Sequence, residues 1–257
     1  MQTTTNDFIN ANGRTIAYQK FDTGGPGIIF LGGFKSDMSG IKALTLSQWC
    51  KANQRSFIRF DYSGHGKSSE KFEQGCVGHW LQDTLAIIDH LTTAPQILVG
   101  SSMGGWLMLL ACLQRPQRIA GLLGIATAAD FTESIIWSSL SREQRETVKT
   151  RGYIERPSEY QDDPYCITRL LIEDGRHHLL LDKPIEFQGP VRLLHGLDDQ
   201  DVPWSISRQV CDQITSGDVH LHLIKDAEHR FSRQQDLDLI LLTLEQLLDA
   251  IHKRQSR

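Results

Sequence analysis

Gln96-Ile-Leu-Val-Gly100-Ser-Ser102-Met-Gly104-Gly-Trp106-Leu-Met108 is a short apolar β-type run that ends in Gly-x-Ser-x-Gly and passes at once into a helical pattern reaching Gln114. Strand, sharp turn and helix, in that order, is the setting in which such a serine stands clear of a sheet. The turn forces close backbone contacts two residues before and two after Ser102, and both positions, Gly100 and Gly104, lack a side chain. A serine at a helix N-terminus also meets a dipole that favours developing negative charge. Ser102 is therefore the candidate nucleophile.

Outward from this turn the same alternation recurs. Asn12-Gly13, between the β-like runs Phe8–Asn10 and Thr15–Phe21, predicts a hairpin with a type I′ turn. After Gly24-Gly25-Pro26 come strand Gly27–Leu31, helix Ile41–Ala52, strand Ser56–Asp61, helix Gly78–Leu91, the Ser102 unit, and strand Ile119–Ile125. Strand Val191–His195, helix Ser205–Ile214, strand Val219–Ile224 and a terminal helix from about Gln234 to His252 complete the series. Short apolar strands alternating with amphipathic helices predict an α/β fold of parallel β-α-β units with helices on both sheet faces. The rhythm breaks from about Ala128 to Gly189, where polar helical patterns (Phe131–Leu140, Arg142–Arg151) precede Pro157, Pro164, Pro184 and Pro190. About 60 residues without a clear core of their own predict a cap insertion, about 128–189, over the sheet's C-terminal edge within one domain, 1–257.

Composition removes several function classes. Twenty-seven Lys and Arg against 31 Asp and Glu give a formal charge of −4, with no basic stripe of the kind that nucleic-acid binders carry. The longest apolar runs, such as Trp106–Leu113, fall far short of the ~20 residues a membrane span requires. Five scattered cysteines (Cys50, Cys76, Cys112, Cys166 and Cys211) form no C-x-x-C pair and suit reduced thiols in a cytosol-like compartment. No H-E-x-x-H and no Cys/His cluster with zinc spacing is present, so neither metal nor other cofactor is expected. Gly64-His65-Gly66-Lys67-Ser68 ends like a phosphate-binding loop, but the first glycine of that motif would fall on Asp61, so it reads as a strand-to-helix loop.

A serine hydroxyl needs a base, and the base an orienting acid. In doubly wound hydrolases these follow the serine in the order acid, then histidine. Asp198, Asp199 and Asp201 all lie on the loop after strand Val191–His195 and all remain candidates for the acid. Only His229 and His252 follow both the serine and the last strand; His252 sits in a Lys/Arg-rich tail, which leaves His229 as the base. His220 and His222 alternate within a strand, His177 and His178 lie in the insertion, and His195 reads as packing at a strand end. Donors for an oxyanion are expected from the backbone N–H of Met103 and from the loop Gly32-Gly33-Phe34, with the Phe34 N–H favoured.

Five blocks carry a resemblance that reaches along nearly the whole chain: Gly27–Phe34, Ile58–Gly64, Pro95–Met108, Ala126–Asp130, and Arg192–Gly196 with Val202-Pro203-Trp204. In these the chain resembles the α/β-hydrolase superfamily, and within it the mitochondrial abhydrolase-domain palmitoyl-protein thioesterases and acyl-glucuronide esterases. The resemblance implies an α/β-hydrolase fold with a mostly parallel eight-stranded sheet. Its H-G-x-x-D-x-x-V-P pattern selects Asp199 as the acid beside Ser102 and His229. The mitochondrial enzymes carry an import leader, whereas this chain begins almost at its first strand, and a cytoplasmic location is the expectation.

Together these readings predict a serine hydrolase that cleaves esters or thioesters through an acyl-Ser102 intermediate. The substrate is expected to be a small-molecule ester or thioester, or an acylated protein, with Phe131, Trp137 and Trp204 as acyl-site residues. Three rivals share the triad or the fold: an acyltransferase, a cofactor-free haloperoxidase, and a ligand-binding protein without turnover.

Overall fold

The computed structural model describes residues 6–24, 26–156 and 165–256. Gly25, Pro157 and Pro164, which the sequence marks as chain breaks, lie outside them. Strands β1 (Asp7–Ala11) and β2 (Arg14–Phe21) form the expected hairpin, with Ala11 opposite Arg14. Asn12 and Gly13 take φ of 53° and 85°, the two positive values a type I′ turn requires.

Strands β3 (Ile28–Leu31), β4 (Phe57–Phe60), β5 (Gln96–Ser101) and β6 (Ile119–Ile125) are buried along their length apart from the half-buried Ala120, as parallel strands covered on both faces must be. Two further pairs of strands follow: β7 (Tyr153–Arg156) with β8 (Tyr165–Thr168), and β9 (Val191–Gly196) with β10 (Val219–Ile224). The main sheet has eight strands in the order β1-β2-β4-β3-β5-β6-β9-β10, antiparallel through β1, β2 and β4 and parallel from β4 onward. Its windings diverge between β3 and β5: the chain leaves β3 for β4 on one side, then returns to lay β5 on the other. Such a switch point opens a crevice at the strands' C-terminal ends.

Helices α1 (Ile41–Ala52) and α7 (Gln234–Gln255) cover one face, burying Leu46, Ile240 and Leu244 against Ile28, Val99 and Leu123. On the other lie α2 (Val77–Leu91), α3 (Met103–Gln114) and α6 (Trp204–Gln213), packed through Trp80, Trp106, Leu107 and Val210. No helix among the described residues is long and apolar enough to cross a membrane.

Between β6 and β9 the chain runs through a π-helical stretch, Thr132–Trp137, then α4 (Arg142–Arg151), the β7–β8 hairpin and α5 (Arg169–Gly175). Helix α4 starts on a capping box: Ser141 Oγ accepts the Gln144 N–H at 3.1 Å, and the Gln144 side chain accepts the Ser141 N–H at 2.9 Å. The buried carboxylate of Asp130 accepts the N–H groups of Leu180 and Leu181, both at 2.9 Å, and so ties the end of the segment to its beginning.

Candidate active site

Ser102 occupies the turn between β5 and α3 with φ 55° and ψ −120°, a conformation a side-chain-bearing residue holds only under constraint. The constraint is visible. The Ser102 N–H donates to the Ile125 carbonyl at 2.9 Å, and the Ser102 carbonyl accepts from Gly105 at 2.9 Å and Ala128 at 3.1 Å. A Cβ on Gly104 would stand 2.1 Å from the Leu31 carbonyl oxygen, so only glycine lets α3 approach β3 this closely.

The loops that carry Asp199 and His229 arrive from the ends of β9 and β10. A Cβ on Gly196 would sit 1.9 Å from the Ala227 carbonyl oxygen, which explains the His195-Gly196 pair: the two loops touch backbone to backbone. The Leu197 N–H donates to Ile224 at 2.8 Å and the Asp198 N–H to Ala227 at 3.1 Å, locking them. The result is one continuous line of hydrogen bonds. Ser102 Oγ lies 3.1 Å from His229 Nε2, and His229 Nδ1 lies 2.8 Å from Asp199 Oδ2.

Every acceptor position of Asp199 is filled. Oδ1 accepts the backbone N–H of Asp201 at 2.9 Å and of Val202 at 2.8 Å. Oδ2 accepts from His229 and also faces His195 Nε2 at 3.2 Å. Burial pushes the Asp199 carboxyl up, but the hydrogen bonds from His195 and His229 outweigh it and hold the group well below the usual carboxylate range. Asp198 is exposed, its carboxylate 3.3 Å from the Gln200 amide.

His195 and Ser207 belong to this network, although the sequence suggests only packing for His195. The fully buried His195 shares its Nε2 proton between the Val202 carbonyl at 2.9 Å and Asp199, while Nδ1 accepts the Ser207 hydroxyl at 2.7 Å. The signal that finds it is the i, i+4 spacing of His195 and Asp199 at the end of a buried strand. Replacing His195 with Leu strands Ser207 Oγ and the Val202 carbonyl; urea denaturation is expected to register about 1–3 kcal/mol lost for each buried group left unsatisfied. Lys42, on α1, donates to the carbonyl of Arg230 and so fastens the histidine loop from the other side.

A cavity of about 560 Å³ opens over Ser102 and His229, lined by Gly32, Gly33, Phe34, Ser101 and Met103 among others. Met103 is the first residue of α3, so its N–H has no acceptor within its own helix. A Cβ on Gly33 would stand 3.4 Å from Ser102 Cβ, a measure of how closely the β3 loop passes the serine. Phe131 lines this cavity, its ring 5.6 Å from that of Phe34.

The structure does not bring Trp137 or Trp204 to it. Trp137 instead meets the guanidinium groups of Arg145 and Arg176, 5.4 and 4.8 Å from its ring centre. Trp204 begins α6 and is 42% exposed. In their place Ile135, Ile136, Tyr165 and Ile167 line the cavity, together with Lys35, Lys42, Arg156 and Arg230. Among the described residues, the one group of side chains close enough to share a metal ion is Asp199, Asp201 and His229, two of which, Asp199 and His229, belong to this hydrogen-bonded line.

A family model described as serine aminopeptidase, S33, matches residues 28–236. Two proteins named palmitoyl-protein thioesterase ABHD10, mitochondrial, are similar over 237 residues: the one from Pongo abelii at 44% identity and the one from Homo sapiens at 43%. In both cases the match spans 92% of this chain and 77% of the relative. The structure of α/β hydrolase domain-containing protein 10 from mouse superimposes with a TM-score of 0.89 at 41% identity, covering 95% of this chain and 98% of that one. Est1E from Butyrivibrio proteoclasticus, solved with ferulic acid, shares the fold at a TM-score of 0.81 and 21% identity, over 96% and 99% of the two chains.

These relatives overturn the cytoplasmic expectation, because the curated proteins matching most of the chain are named mitochondrial. That expectation leaned on the scattered cysteines and on a comparison with the leader of the mitochondrial enzymes. Cysteine spacing bears on disulfide chemistry, whereas an organelle address is read by receptors from targeting segments and leaves no trace in a domain's composition. From the match over residues 28–236 and the shared architecture, the chain belongs to the α/β-hydrolase family of serine hydrolases.

Proposed function

We propose that the chain hydrolyses thioesters and esters of apolar acyl groups, with Ser102 as nucleophile, His229 as general base and acid, and Asp199 as the orienting carboxylate. The observation that carries this reading is the unbroken hydrogen-bonded line from Ser102 Oγ through both nitrogens of His229 to Asp199. Because Nδ1 donates to Asp199, Nε2 is left with a lone pair aimed at the serine hydroxyl. His229 takes the hydroxyl proton as Ser102 Oγ bonds to the acyl carbon. The Phe34 and Met103 amides stabilise the oxyanion that results. Collapse expels the thiolate or alkoxide, which takes the proton from His229 and leaves acyl-Ser102. Water then attacks the acyl carbon, losing a proton to His229; the second tetrahedral intermediate collapses, the bond between the acyl carbon and Ser102 Oγ breaks, Ser102 Oγ takes the proton back from His229, and the carboxylic acid departs.

The segment about 128–189 acts in this reading as a cap within a single domain. Its Phe131, Ile135, Ile136 and Ile167 supply the apolar wall over Ser102, and Arg156 and Tyr165 the polar one. The relatives' printed name, palmitoyl-protein thioesterase, supports a thioester substrate, carried either on a protein or on a small thiol.

Two measurements test the proposal. A fluorophosphonate probe is expected to add once, on the peptide that contains Ser102, and not at all to Ser102→Ala. Across p-nitrophenyl esters and acyl-CoA thioesters of graded length, kcat/KM is expected to rise by up to about 3–4-fold for each buried methylene, from ~0.8 kcal/mol each, until the apolar wall is filled. A rate that ignores chain length overturns the apolar acyl site. Acyl transfer to added alcohols or thiols exceeding hydrolysis makes the chain an acyltransferase instead.

A further inference from the structure

We propose that His65, in the Gly64-His65-Gly66-Lys67-Ser68 loop, is a positioning residue for the oxyanion loop, holding the Phe34-Lys35 backbone in place from behind. Its Nε2 accepts the backbone N–H of Lys35 at 3.2 Å, one peptide from the Phe34 N–H. The tautomer follows, since Nε2 accepts and Nδ1 therefore carries the proton, which it donates to the Ser63 carbonyl at 3.2 Å. Lys35 takes φ 56°, a conformation L-residues rarely keep without outside support. The inference rests on the reading of Ser102 as nucleophile with the Phe34 amide as an oxyanion donor.

The surroundings make His65 a rigid post. It is 4% exposed, and its ring stands edge-on to Tyr62, Phe72 and Trp80 at centroid distances of 5.6, 5.2 and 5.4 Å. The Phe34 ring also packs on Phe72 and Trp80, at 4.8 and 5.9 Å, so one aromatic cluster grips both the post and the loop it holds. Asp61 adds a second tie, its carboxylate accepting Met38 N–H at 2.7 Å and Lys67 N–H at 2.9 Å. Burial pushes the His65 imidazole down to about 4, which keeps the Nε2 lone pair free at neutral pH. The segment that imitates a phosphate loop in sequence thus braces the β3 loop at two points.

An oxyanion donor contributes only when it points at the developing charge, and a misplacement of about 1 Å costs up to ~100-fold. His65→Phe keeps a ring in the aromatic cluster but removes the acceptor. In the full-length protein, kcat on a p-nitrophenyl ester is expected to fall about 10–100-fold with KM within about twofold. A trifluoromethyl ketone, which adds to the serine to give a tetrahedral oxyanion, is expected to bind weaker by the same factor, whereas an ether analogue of the substrate binds unchanged. His65→Gln, which restores an acceptor, is expected to recover most of kcat. A folded His65→Phe with kcat within about threefold of wild type overturns the proposal, as does loss of ether binding in parallel with kcat. Should His65→Phe fail to fold, the native protein decides: a hydrogen-bond-mediated coupling between the Lys35 amide nitrogen and His65 Nε2 supports the brace, and its absence overturns it. Failure of the parent reading looks different, because Ser102→Ala would then keep wild-type turnover.

Discussion

Ser102→Ala is expected to lower kcat by about six orders of magnitude, with KM nearly unchanged and the protein still folded. The size of the loss follows from the absence of a substitute: among the described residues, no other hydroxyl is hydrogen-bonded to His229 Nε2. What survives should be the residual acceleration over water, ~10³–10⁴, that amide donors and binding supply without a nucleophile. His229→Ala is expected to cost about as much, and the double variant scarcely more, because the pair acts as one unit. Ser102→Gly separates chemistry from folding. It removes a strain of about 1–3 kcal/mol held at φ 55° and loses ~0.5–1 kcal/mol to the greater freedom of the unfolded chain. The balance predicts an inactive protein at least as stable in urea as the parent. A Ser102→Gly protein that unfolds more readily by about 1 kcal/mol or more would show that the turn is held without strain.

Much of this architecture was legible because it is written locally. The Gly-x-Ser-x-Gly turn, the alternating strands and helices and the Asn12-Gly13 hairpin each depend on periodicity or on backbone chemistry within a few residues. Helices α1 and α4 and strand β6 start and stop where their patterns do. The order β4-β3-β5, which opens the crevice, rests on pairing between strands distant in sequence and is seen only in the structure.

What stayed hidden depends on contacts distant in sequence. Strands β7 and β8 are four residues each and acquire their identity only by pairing with one another, so no periodicity announces them. Trp137 has the composition of an acyl-site residue, yet Arg145 and Arg176 claim its ring. The roles of His195 and His65 rest on which ring nitrogen meets which partner, and residue type alone leaves that unspecified. The cytoplasmic expectation failed for another reason: an organelle address is not a property of the folded domain at all.

Asp199→Asn is expected to lower kcat by about 10⁴-fold, while Asp198→Asn leaves it within about twofold. The carboxylate of Asp199 receives four donors, two on each oxygen. Whichever oxygen becomes an amide nitrogen, its N–H groups then face N–H groups. If the nitrogen turns toward the backbone, it confronts Asp201 and Val202. If it turns toward the histidines, His229 is driven to the tautomer with its proton on Nε2, which cannot accept one from Ser102. The imidazolium formed during attack loses its counter-charge in either case. Asp198, by contrast, spends its charge in solvent beside Gln200.

A stability signature accompanies the kinetic one, and its sign is fixed by the direction of the shift. The Asp199 carboxyl is held below its unfolded value, so its stabilisation is fully present above the unfolded pKa, near 4, and drains away as pH falls through the folded pKa. The difference in unfolding free energy between the parent and Asp199→Asn should therefore be largest at neutral pH and shrink in acid. For Asp198→Asn the two denaturation curves should stay superimposed at every pH. Equal losses of kcat in the two variants, or a gap for Asp199→Asn that widens in acid, would remove Asp199 from the role of orienting acid.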